Sequence, residues 1–129
     1  MNCYCGSSQD YANCCYIYHS GRPAPTAEAL MRSRYSAFVC GLETYLLATW
    51  DEKHRPQQLN LQQDHTVWQK LVILKCHKGK EKHNQGTVQF KAYFQQDNCD
   101  FVLQETSRFK KHQGYWFYVD GDYDVKPVP

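Results

Sequence analysis

Thr87-Val-Gln-Phe-Lys-Ala-Tyr-Phe-Gln95 decides the fold class. Val88, Phe90, Ala92 and Phe94 alternate with Gln89, Lys91, Tyr93 and Gln95, the period-two pattern of a strand with one buried face and one wet face. A strand needs partners, and both flanks supply them. Upstream, Trp68-Gln-Lys-Leu-Val-Ile-Leu-Lys-Cys76-His77 reads as a strand from Val67 whose end is a near-continuous apolar run. The charged segment 78–86 joins the two as a hairpin loop with glycine at both flanks. Downstream, Gln96-Asp-Asn98 turns into a strand from Cys99 to Lys110, where Phe101, Leu103, Glu105, Ser107 and Phe109 share a face. Gly114 opens a last strand, Tyr115 to Asp120, closed by Gly121. Four successive strands with short connections predict an antiparallel meander.

Helical periods occupy the chain before the strands. Thr26 is a good N-cap and Glu28 sits favourably in the first turn. The helix they begin runs to about Cys40 and stops at Gly41. Its apolar stripe is Ala27, Leu30, Met31, Ala37 and Phe38, with Arg34 in the middle beside Tyr35. A charge there either snorkels to water over its own stem or meets a carboxylate inside a cavity. Leu42 to Trp50 reads as a second short helix with Tyr45, Leu46 and Trp50 turned inward, ended by Arg55-Pro56. Leu59 to His65 reads as a loop or weak helix. Helices followed by a meander imply an α+β fold, with the helices packed on one face of an antiparallel sheet.

The first fifteen residues have another logic. Cys3, Cys5, Cys14 and Cys15 follow the spacing C-x-C-x8-C-C. Four thiolates suit a tetrahedral, thiophilic divalent ion, and zinc is the expected one. With four protein ligands no position stays open for water, so the ion is structural. Gly6, Ser7 and Ser8 supply turn chemistry, and the Cys14-Cys15 pair returns as if from the start of a short helix. Disulfides or redox thiols are the competing readings. Seven cysteines in all, no C-x-x-C pair and no signal segment after Met1 favour metal and a reducing cytosol. Tyr16 to Pro25, with Gly21, Pro23 and Pro25, reads as a linker between this knuckle (residues 1–20) and the main domain (25–129).

C-x-C-G-S-x6-C-C resembles the SEC-C motif, the zinc-binding tail of the SecA translocation ATPase. The runs Pro25–Phe38, Tyr45–Trp50, Glu105–Phe109 and Gly114–Gly121 resemble the YchJ family of uncharacterised bacterial proteins. The resemblance covers nearly the whole chain. It implies a cone-shaped middle domain like nuclear transport factor two, and through the SecA tail it implies a protein partner. Some family members end in a second SEC-C motif; this sequence ends Pro127-Val-Pro129.

Composition narrows the function classes. A net charge of +2 neither demands nor excludes a nucleic-acid partner, since a dedicated binder carries a strong basic patch. A ribosomal or nucleic-acid partner is left open without sequence support. No apolar run approaches the ~20 residues of a membrane-spanning helix. An aromatic fraction of 15% suits a core or cavity walled by a few bulky rings.

Within the cone, Glu105 shares a face with apolar residues, so its carboxylate points inward and needs a cationic partner or a raised pKa. Arg34, with Arg32 as the alternative, is the expected partner in an interior ion pair. Tyr35, Tyr45 and Trp50 are the candidate hydrogen-bond donors around it. An isomerase- or dehydratase-like reaction would use such an interior acid as base with donors for an oxyanion, a reading that rests on fold analogy. No histidine falls on a predicted inward face. Cys76, His77, His83 and Cys99 match no metal-knuckle spacing, and Cys76 and Cys40 read as small buried apolar groups. Lys78, Lys80, Lys82, Lys110 and Lys111 read as solvated surface. Tyr93, Trp116 and Tyr118 are placed on the outer sheet face, where such cones dimerise. Two functions follow: a non-enzymatic zinc-binding adaptor that docks a protein through the knuckle, and a small-molecule-binding or enzymatic cone held by a structural zinc.

Overall fold

The computed structural model describes residues 1–61 and 64–129. A 3-10 turn, Tyr11–Asn13, leads into α1 (Cys15–His19), α2 (Ala27–Cys40) and α3 (Glu43–Ala48). β1 (Val67–Lys78), β2 (Gln85–Gln96), β3 (Cys99–His112) and β4 (Tyr115–Pro127) follow. They form one antiparallel sheet in the order β1-β2-β3-β4. This is the expected α+β cone, three helices on a four-stranded sheet behind a cysteine-rich knuckle. No helix among the described residues is long and apolar enough to cross a membrane.

The alternation in β2 becomes the floor of the core. Val88, Phe90, Ala92 and Phe94 are all buried, as are Phe109 and Ser107 on β3. α2 lies across this floor with Ala27, Leu30, Met31 and Tyr35 buried against it. The Thr26 side chain caps the helix by accepting from the Ala29 N–H at 3.0 Å. Gly41 ends it at φ 73°, a left-handed conformation that a β-carbon resists. The segment after α3 is sewn to β4: the Tyr118 N–H donates to Thr49 O (2.9 Å) and the Asp51 N–H to Tyr118 O (2.7 Å). Asp51 adds an ion pair to Lys110 at 2.6 Å.

Several expectations change here. The stretch from Tyr16 is not all linker, because α1 continues from Cys15 to His19 before Gly21 breaks it. β4 does not stop at Gly121; it pairs with β3 through Phe101↔Pro127. A β-carbon at Gly121 would collide with the Glu105 side chain, which would have to shift away from its place there. Trp116 and Tyr118 are not on the outer face. Trp116 is buried and its Nε1–H donates to Pro25 O at 3.2 Å, while Tyr118 packs against the core. Cys40 and Cys76 are exposed rather than buried, and Cys99 is exposed as well. Of the 59–65 stretch, Gln62 and Gln63 lie outside the described residues, and the Leu61 N–H donates to Glu43 Oε1 at 3.3 Å.

Candidate metal centre and cone cavity

The four cysteines of the knuckle come together. Their sulfurs all lie within 4.8 Å of one another, and Cys3, Cys5 and Cys15 are buried. Cys5 Sγ and Cys14 Sγ are 3.6 Å apart. That is far longer than a disulfide bond, and it is close to the ~3.8 Å edge of a tetrahedron with metal–sulfur bonds of about 2.3 Å. The donor set therefore fits a tetrahedral metal ion. Cys5 is pulled down to about 4 because the Cys15 thiol hydrogen-bonds to it, and Cys15 is raised by the same bond. Ser7 Oγ adds a contact to Cys14 Sγ at 3.1 Å. Among the described residues this is the one cluster of histidine, cysteine and acidic side chains able to hold an ion. Cys76, His77, His83 and Cys99 do not assemble.

The knuckle is fastened to α2. Arg32 Nη1 donates to Cys5 O at 2.7 Å while its Nε pairs with Glu28 at 3.0 Å. Arg32 thus serves the knuckle and not Glu105. Cys3 Sγ lies 3.7 Å from Ser36 Oγ. His19 bridges the two parts. Its Nε2–H donates to Ser33 O and its Nδ1 accepts from the Tyr11 hydroxyl, both at 2.7 Å. Burial pushes the His19 pKa down, which favours this neutral form. The sequence reading left this residue in the linker; its place four residues after Cys15, one turn along α1, is the signal that could have found it.

Below α2 the cone holds a half-open cavity of about 280 Å³. Met31, Phe38, Trp68, Phe90 and Leu103 form apolar walls, and Arg34, Tyr35, Trp50, Glu105, Ser107 and Tyr118 bring polar atoms. Four of the five expected pocket residues, Arg34, Tyr35, Trp50 and Glu105, line it. Tyr45 does not. Its hydroxyl meets Ser33 Oγ at 2.7 Å and its ring packs edge-on against His19, on the knuckle side of α2.

Arg34 neither snorkels nor pairs directly with Glu105. It is only 4% exposed. Its Nη1 donates to Leu46 O and Thr49 Oγ1, both at 2.7 Å. Its guanidinium lies 4.8 Å from the Tyr118 ring centre and 5.1 Å from that of Trp50. Burial brings its pKa down to about 10, so it stays cationic at neutral pH. Glu105 Oε2 accepts from Ser107 Oγ at 2.5 Å and from the Tyr118 hydroxyl at 2.9 Å. Burial, then Glu105, raises the Tyr118 pKa, so that phenol remains a donor. Tyr118 therefore stands between the two charges: its ring under the cation, its hydroxyl on the carboxylate. Register arithmetic could have revealed it. A two-residue turn at Gln113-Gly114 sets His112 opposite Tyr115 and hence Phe109 opposite Tyr118, and opposed residues share a face.

Comparison with known proteins agrees with this architecture. Residues 26–121 match the family model described as YchJ, middle NTF2-like domain. The chain belongs to the YchJ family. A UPF0225 protein of Chromobacterium violaceum is 45% identical over 123 residues, covering 92% of this chain and 90% of the relative. One from Streptomyces coelicolor is 45% identical over 122 residues, covering 94% of each. The solution structure of a SEC-C motif containing protein from Rhodopseudomonas palustris is 31% identical with a TM-score of 0.83, over 95% of this chain and 98% of that one. The crystal structure of a SEC-C motif containing protein from Psychrobacter arcticus is 28% identical with a TM-score of 0.76, over 93% and 81%. Within a YchJ-family protein, the cysteine cluster is the SEC-C region and could hold a metal ion.

Proposed function

We propose that this YchJ-family protein is a small-molecule-binding cone, and that its four thiolates hold a structural Zn²⁺ fastening the N-terminus to α2. The observation that carries the reading is the cavity. It places a buried cation and a carboxylate on otherwise apolar walls, the arrangement of a ligand site with a few convergent polar groups. The buried position of Cys3, Cys5 and Cys15 supports the structural role of the ion, since a closed, docked knuckle offers no open coordination position.

Native mass spectrometry of gently purified protein tests this. Wild type should retain one zinc ion and a small molecule, whereas the cavity-filling variant Leu103→Trp should retain the zinc alone. Equal small-molecule content in both would overturn the cavity as the site. A second reading, the protein-docking adaptor, draws on Tyr4 and Tyr16, exposed on the knuckle. Loss of a pulled-down partner in Tyr4→Ser/Tyr16→Ser, with the cone intact and Leu103→Trp unaffected, would favour it instead.

A further inference from the structure

We infer that the cavity selects small monocarboxylic acids with a flat apolar body, the carboxylate docking on the free edge of Arg34. The inference rests on the cavity-binding reading above and names its ligand class. Arg34 is a buried cation, yet among the described residues its hydrogen bonds leave only from Nη1, toward Leu46 O and Thr49 Oγ1. Both acceptors are uncharged, and no carboxylate reaches ion-pair distance. A buried charge without a counter-charge is costly, and an anionic ligand would remove that cost. The rings of Trp50 and Tyr118 pack against the guanidinium at 5.1 and 4.8 Å, and among the described residues Nε and Nη2 make no hydrogen bond. Two parallel N–H donors on one edge match the two oxygens of a carboxylate.

The remaining walls set the rest of the ligand. Phe38, Trp68, Phe90 and Leu103 offer ring faces and aliphatic surface to an apolar body. A volume of about 280 Å³ lies at the small end of ligand pockets and admits a compact molecule. Glu105 sets the charge limit. Its Oε2 is held by Ser107 and Tyr118, so a second carboxylate is fixed in the lining, with the Tyr118 side chain between it and Arg34. It makes no ion pair with Arg34 and repels negative charge brought near it, so a ligand with one carboxylate docked on Arg34 is accepted and one with a second carboxylate reaching Glu105 is not.

The test uses the metal-loaded full chain and follows the indole N–H signals of Trp50 and Trp68 by NMR. Trp116, whose Nε1–H is committed to Pro25 O, is the internal control. The probes are phenylacetate, its uncharged analogue phenylacetamide, and inorganic phosphate. Phenylacetate should shift Trp50 and Trp68 saturably and bind at least tenfold more tightly than phenylacetamide, and phosphate should not compete. Arg34→Gln should erase the difference between acid and amide. Glu105→Gln, which keeps the shape and removes the repelling charge, should tighten phenylacetate severalfold and leave phenylacetamide unchanged. Equal binding of acid and amide, or no gain in Glu105→Gln, overturns the ligand class and leaves the cavity reading standing. Absence of saturable binding by either probe overturns both.

Discussion

The knuckle and the cone solve the same problem by different means. The cone buries Leu30, Met31, Tyr35, Val88, Phe90, Phe109 and Trp116 in one contiguous core, so the hydrophobic effect alone can hold it. The knuckle's buried cluster is Cys3, Cys5 and Cys15, with only Tyr11 and Cys14 packed against it. Three small side chains cannot offset the ordering entropy of nearly twenty residues at about 1–2 kcal/mol each. A structural zinc site, at about 10 kcal/mol or more, with the Arg32, Ser36 and His19 contacts to α2, can. On the proposed reading, the short knuckle would be conditional on an ion and the larger cone would not.

That contrast can be broken or sharpened at four places. The largest effect is expected from Cys5→Ser, which removes a fully buried thiol of the cysteine cluster. Metal content should fall below a tenth of wild type and residues 1–20 should become susceptible to protease, while the β-sheet circular dichroism signal stays. Leu46→Ala strikes the other half. Leu46, on α3, is fully buried, and its truncation should cost about 2–5 kcal/mol in denaturant unfolding without lowering metal stoichiometry in the folded protein. Arg32→Met tests the fastening itself. It removes the bond to Cys5 O and should cost about 1–2 kcal/mol, read as faster amide exchange in residues 1–20 with the metal still bound.

The smallest effect is a pH dependence at His19. Its folded pKa lies below the ordinary value of 6.5, chiefly through burial, so the unfolded chain takes up its proton first as pH falls. The stability it contributes is present above about pH 6.5 and is lost as pH falls through the folded value. With metal in excess, thermal midpoints should drop more steeply between pH 7.5 and 5.5 in wild type than in His19→Gln. Parallel curves would show that His19 does not report the junction.

Much of this was legible from residues. The alternation of β2 named its buried face correctly, and C-x-C-x8-C-C named the cysteines that cluster. Glu105 was placed on the inward face, while Arg34 was left between snorkelling to water and an interior ion pair; it is buried without that pair. Pairing was harder to read. Periodicity says which way a side chain points and not what it meets, so Leu46 O and Thr49 as the partners of Arg34 had no sequence signal. β4 was misread because a register shift between Arg108 and Phe109 breaks its alternation, and because Gly121 looked like a terminator. In the sheet that glycine makes room for Glu105. α1 was hidden by the glycine and prolines that follow it within six residues.

Hydrogen exchange on the full chain, before and after removal of metal with a chelator, tests the division between the two halves most directly. We expect the amides of residues 1–20 to lose protection while those of α2 and β1–β4 retain theirs. Uniform loss across the chain, or no change in the first twenty residues, would contradict it.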